Sequence, residues 1–201
     1  MQVQSIKRRV RAAIAILPIL LAAVMLNAQS TSGSSEYLIK AGFIYNFANL
    51  VQWPSSSFAQ PDSPIVIVIL GEDHFGTTLD RALGGKKVNA RPFVIKRAKS
   101  VSELQRALGP QKECQILYVS SSEMPHLGEA IQMLRGVPVL TIGETPGFAR
   151  NGGIINLILE DNKVRFEVNV QAAKEADLNI SSRLLALARI VPAAGEGRKP
   201  E

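Results

Sequence analysis

Cysteine is almost missing from this 201-residue chain: Cys114 is the only one. An internal disulfide is therefore excluded, and the fold must stand on packing rather than on covalent staples. The surrounding CQILYVS reads as a buried strand, which makes Cys114 a core residue rather than a reactive thiol. Histidine is nearly as scarce. His74 and His126 are the only two, they fall in separate segments, and neither belongs to a two-histidine helical pair, so no metal site is assigned. The chain also lacks a Gly-x-Ser-x-Gly elbow, a Walker lysine and the glycine spacing of a dinucleotide fingerprint. No catalytic residue and no cofactor are assigned, and the chain is expected not to be an enzyme.

Acidic residues are missing from the start of the chain. Lys7, Arg8, Arg9 and Arg11 precede an apolar run over 12–26, and small residues end at Ala28. A basic flank, a short apolar run and a small-residue exit are the layout of a secretory signal peptide, so residues 1–28 are predicted to direct export. The run is short and broken by Pro18, which disfavours a lasting membrane anchor, and no span is expected once it is removed. This segment holds four of the 23 basic residues and none of the 17 acidic ones, so the remainder is nearly balanced. A nucleic-acid footprint requires a strong basic excess on one face, and nucleic acid is set aside as a partner.

Residues 29–35, QSTSGSS, read as a flexible leader, and residues 192–201, PAAGEGRKPE, as a disordered tail. Between them, 36–191 shows no linker and no repeat, and its length suits one domain. Apolar strands over 64–70, 91–97, 114–120 and 137–143 alternate with helical segments over 74–83, 100–108 and 124–134. Such alternation predicts parallel strands joined by right-handed crossovers. The ending differs. Residues 152–170 carry two apolar strands around Glu160, Asp161, Asn162 and Lys163, a hairpin that adds antiparallel pairing at the sheet edge. A last helix is predicted over 180–190. The expected fold is a three-layer α/β domain with a mostly parallel sheet and a C-terminal antiparallel hairpin.

In such a sheet the ligand crevice lies beyond the carboxyl ends of the strands. Two glycine-containing loops fall there, GEDHFG (71–76) and GETPGFARNGG (143–153), with Glu72, Asp73, Glu144 and Arg150 as candidate ligand contacts. A small-ligand binding module using these loops is the alternative reading of function. A plainer role is also open to each: Asp73 as the N-cap of the next helix, and the glycines as turn formers.

The stretch KAGFIYNFANLVQWP (40–54) carries no charge after Lys40, and none follows until Asp62. At 100° per residue, Tyr37, Ala41, Ile44, Ala48 and Val51 share one face, while Ile39, Phe43, Phe47, Leu50 and Trp53 share the opposite one. A helix apolar all round is buried, membrane-spanning or docked, and this one is too short to span a bilayer. Leaving five large apolar groups wet forgoes roughly 7–15 kcal/mol, at about 1.5–3 kcal/mol per side chain. Two coverings remain open: further helices of the same domain, or a second chain gripped by Phe43, Phe47, Leu50 and Trp53.

YLIKAGFIYNFANLVQWP, IVILGEDHFGTTLD, CQILYVSSSE, PVLTIGETPGFARNGGIINLILEDNKVRFEVN and ISSRLLALARIV together resemble the YfiR family of exported bacterial proteins, over about residues 36–191. The resemblance implies an α/β homodimer that represses an inner-membrane diguanylate cyclase through the enzyme's periplasmic sensor domain, lowering cyclic di-GMP and biofilm formation. Some family members tune that repression with disulfides, which the single Cys114 cannot form internally.

Overall fold

The run IVIVIL forms strand β2 (Ile65–Leu70), and all six of its side chains are buried. Successive strand residues alternate faces, so burial of both sets requires cover on both sides. The computed structural model, which describes residues 35–192, shows that cover. Ile65, Ile67 and Ile69 join Ile116, Tyr118, Leu140 and Ile142 in a core closed by helices α1 (35–50), α2 (Thr77–Leu83) and α5 (Val170–Glu175). Val66, Val68 and Leu70 join Leu117 and Val119 against α3 (Val101–Leu108) and α4 (Leu127–Met133). The three layers are helix, sheet and helix.

Five parallel strands stand side by side in the order β4 (Arg91–Ala98), β2, β5 (Ile116–Val119), β6 (Leu140–Gly143) and β7 (Ile155–Glu160). Their registers are Ile65 with Phe93, Ile67 with Ile116, Ile116 with Leu140, and Ile142 with Ile155. The hairpin forms as expected: β8 (Lys163–Val168) runs antiparallel to β7, and Asp161 and Asn162 turn the chain at φ of 49° and 59°. Asp and Asn tolerate this left-handed region better than most side chains. Short strands finish the sheet, β3 (Lys87–Val88) beside β4 and β10 (Arg189–Ile190) beside β8.

The expected helix over 180–190 is not formed. Ile180 and Asn179 instead make strand β9 (Asn179–Ile180), paired with Val51 and Gln52 of β1 (Val51–Gln52), and 189–190 is drawn onto the open side of β8. Only α6 (Ser182–Leu185) is helical between them. Two ladders compete for the ends of the segment, and a helical pattern of eleven residues is too short to resist them. Leu184 is buried, while Leu187 is 76 % exposed.

The crossovers leave β2 toward β4 on one side and β5 on the other. The sheet therefore reverses its winding between β2 and β5, and the crevice of a doubly wound sheet lies beyond the carboxyl ends of those strands.

Candidate functional site

At the end of β2 the chain turns sharply at Gly71, with φ of 93°. A Cβ there would come within 2.5 Å of Ser122 Oγ and 2.8 Å of Glu123 Cγ, so only glycine lets the loops after β2 and β5 close on each other. Glu72 N donates to Ser122 Oγ at 3.0 Å, which ties the two loops together. Asp73 does not cap α2 directly. Its Oδ1 accepts from Phe75 N and Gly76 N just before the helix, and its Oδ2 takes Arg97 Nε at 2.6 Å.

The first turns of α1 fill the crevice. Lys40 Nζ lies 2.6 Å from Glu144 Oε2 and 2.6 Å from Glu36 Oε1, and the Lys40 and Glu144 side chains are almost fully buried. Tyr37 donates its hydroxyl to Glu144 Oε2 at 3.0 Å. Its ring stacks on His74 at 5.6 Å and meets Phe75 edge-on at 5.0 Å, and Phe75 meets Tyr118 in the same way at 4.8 Å.

Burial pushes the Glu144 carboxyl up, but the Lys40 ammonium and the Tyr118 and Tyr37 hydroxyls outweigh it and hold the group below the usual carboxylate value. Burial and the Glu144 charge raise Tyr37 and Tyr118. The Tyr118 hydroxyl faces the same Glu144 carboxylate, and the Ser120 hydroxyl is buried without a hydrogen-bond partner among the described residues. The Glu144 carboxylate at the sheet's carboxyl edge is thus spent on holding α1.

The four crevice candidates do not converge on one point. Glu144 is buried under α1, Asp73 serves its own turn and Arg97, Glu72 is exposed near His74, and Arg150 is exposed on the loop over 145–151. Glycines of that loop have a packing role: a Cβ on Gly143 or Gly153 would strike the Phe148 ring at 2.4 and 2.1 Å, and Phe148 is fully buried. Among the described residues no three His, Cys, Asp or Glu side chains are grouped to hold a metal. Cys114 is buried, its thiol pushed up by desolvation to about 12, and its Sγ donates to Ile116 O.

On the second face of α1, Phe47 is fully buried and packs with Phe43 and Phe166 at ring distances of 5.2–5.7 Å. Phe43, Leu50 and Trp53 are half-buried, and Trp53 Nε1 donates to Gln115 O at 3.2 Å. The chain's own hairpin therefore covers much of this face. What stays open is Leu38 at 57 % and Ile39 at 49 % exposure, with a cleft of about 420 Å³ between Phe43, Val164, Phe166 and Leu187.

The family model described as YfiR/HmsC-like (DUF4154) matches residues 37–189, from the tyrosine that reaches Glu144 to the first residue of β10. The chain belongs to the YfiR/HmsC-like family. YfiR/HmsC-like proteins are periplasmic regulators, and no helix among the described residues is long and apolar enough to cross a membrane. No curated protein matches the chain. Two solved structures are similar to part of it. One is an ABC domain in complex with L-Trp from Streptococcus pneumonia, at 10 % identity over 63 % of this chain and 55 % of that one, with a TM-score of 0.48. The other is a conserved domain protein from Vibrio cholerae O1 biovar eltor, at 12 % identity over 62 % and 54 %, also with a TM-score of 0.48. The YfiR/HmsC-like chain spans about half the length of these structures.

Lys40 and Tyr37 are the site residues that pattern reading missed. Lys40 was visible only as the last charge before an uncharged stretch; Glu36 stands one helical turn before it, but its buried partner Glu144 lies 104 residues away. No local spacing encodes that distance.

Proposed function

We propose that this YfiR/HmsC-like protein is a non-enzymatic periplasmic regulator that docks, as a homodimer, on the periplasmic sensor domain of an inner-membrane diguanylate cyclase or a similar signalling protein and represses it. The observation that carries this reading is the family match across nearly the whole described domain. Two physical features support it. The buried acid of the crevice, Glu144, is engaged in holding α1, and α1 keeps an exposed apolar pair, Leu38 and Ile39, one turn before Phe43 at the rim of an open cleft. Exposed apolar groups of this kind are what a protein contact desolvates.

Deleting the gene tests the reading in the host. Cyclic di-GMP and biofilm mass should rise, and the intact gene should return both to their starting level. Unchanged cyclic di-GMP with unchanged biofilm would refute it.

A second reading, small-ligand binding at the loops over 71–76 and 143–153, is favoured only by the buried, unpartnered Ser120 hydroxyl at the end of β5. A small-molecule screen should then contain a compound that raises the melting temperature by mass action.

A further inference from the structure

Residues 84–99, GGKKVNARPFVIKRAK, contain six cations and no acid: Lys86, Lys87, Arg91, Lys96, Arg97 and Lys99. In a mature chain whose charges nearly balance, this is a strong local excess. The fold lays it along β3 and β4, at one margin of the sheet. Among the described residues only Arg97 is neutralised by carboxylates, those of Asp73 and Asp80. Arg91 is held by the carbonyls of Gln60 and Ser63, Lys96 by that of Ala107, and Lys86 lies over the Tyr45 ring. Lys87 and Lys99 are exposed and form no ion pair.

The same margin offers unpaired backbone. β4 has eight residues, but β3 pairs only with Arg91 and Pro92. Ala98 O accepts from Gly71 N on the β2 side, whereas Arg91 pairs with Val88 on the other. Backbone groups alternate sides along a strand, so Phe93, Ile95 and Arg97 turn their N–H and C=O groups to the open side. Beside them lies a slot of about 190 Å³ walled by Leu83, Pro92, Phe93 and Ile95, with Lys86 and Lys87 at its rim and the already paired Asp80 at one end. Val94 is 40 % exposed on the opposite face.

We propose that the open edge of β4 receives an extended acidic segment of a partner protein by strand addition, alternate apolar side chains entering this slot while carboxylates meet Lys86, Lys87 and Lys99. Main-chain pairing supplies affinity in this mode and alternate side-chain pockets supply selectivity. The proposal rests on the protein-binding reading above and adds where, and to what chemistry, the protein binds. A bare edge guarded by lysines against aggregation would show the charges too, but it would bind no acidic strand.

The test uses the full chain after signal removal and a fluorescein-labelled peptide, acetyl-EVEVEVE-amide, with acetyl-KVKVKVK-amide as its counterpart. The acidic peptide should bind and slow hydrogen exchange at the amides of Phe93, Ile95 and Arg97. The lysine peptide should not bind. Lys87→Glu with Lys99→Glu should weaken binding at least ten-fold. Ile95→Pro should abolish it, because it removes an outward N–H and leaves the β2 ladder its own donors. The two lysines are exposed, so the double glutamate variant decides the matter even where the proline variant fails to fold.

No binding to the wild type, equal binding of the lysine peptide, equal binding of a single-stranded oligonucleotide, or binding undiminished in the variants would each overturn the proposal. A cyclase sensor domain captured equally by wild type and variants would overturn the edge and leave the regulator reading standing. Unchanged cyclic di-GMP on gene deletion would do the reverse.

Discussion

Lys40 and Glu144 meet at 2.6 Å across 104 residues of sequence, with side chains only 6 % and 7 % exposed. The contact joins the first turns of α1 to the loop after β6. Removing one partner of a buried pair leaves an uncompensated charge and costs about 3–5 kcal/mol, whereas replacing both with apolar groups is often neutral. Lys40→Met should therefore destabilise by roughly that amount in urea unfolding. Lys40→Met combined with Glu144→Leu should recover most of the loss. A double-variant loss equal to the sum of the two single losses would show that Lys40 and Glu144 are not coupled.

The same pair sets an acid limit. A carboxyl held below its unfolded value contributes stability that is complete above that value and is lost as pH falls through the folded one. Glu144 starts from an ordinary 4.5, so its contribution should fade from about pH 4.5 downward. Glu144→Gln should be less stable than wild type at pH 7, and the gap should narrow below pH 4.5 in chemical-denaturation curves. A gap constant from pH 7 to pH 3 would remove this assignment.

Phe148 makes a separate case. Gly143 and Gly153 flank its ring so closely that neither position has room for a methyl group. Gly153→Ala should overpack this core and cost about 1–3 kcal/mol. Shrinking the ring in a Gly153→Ala, Phe148→Leu pair should show strong non-additivity, since the two changes share one space. Additive losses would mean that the loop relaxes around the new methyl group.

Legibility in the sequence followed the range of the forces involved. β2 and the hairpin were readable because a continuous Val/Ile run and an Asp161–Asn162 turn declare themselves within a few residues. The helical spacing over 180–190 was equally local, yet it lost to two strand pairings whose partners, Val51 and Val168, are remote in sequence. α1 shows the middle case. Its apolar second face was visible, but the cover that Phe166 supplies to Phe43 and Phe47 comes from a strand more than a hundred residues away. Lys40 and Tyr37 were hidden for the same reason, and Glu144 stood out in the sequence as a ligand contact rather than as their partner.

Leu38 and Ile39 remain as apolar groups of α1 that the chain itself leaves open, at 57 % and 49 % exposure. Surface substitutions away from packing and hydrogen bonds usually change stability by less than about 0.5 kcal/mol. Leu38→Ser with Ile39→Ser should therefore leave the urea midpoint close to wild type. Fully burying a large aliphatic side chain is worth about 1.5–3 kcal/mol, ten-fold or more in affinity where the contact takes it from water. Capture of a purified cyclase sensor domain by the double variant should weaken by at least ten-fold. The emission of Trp53, half-buried just beyond β1 and bonded to Gln115 O, reports on the event independently. It should shift when wild type meets the sensor domain and stay still with the double variant. Full-strength capture by that variant would move the contact off α1 and leave the sheet margin at β4 as the surface to pursue.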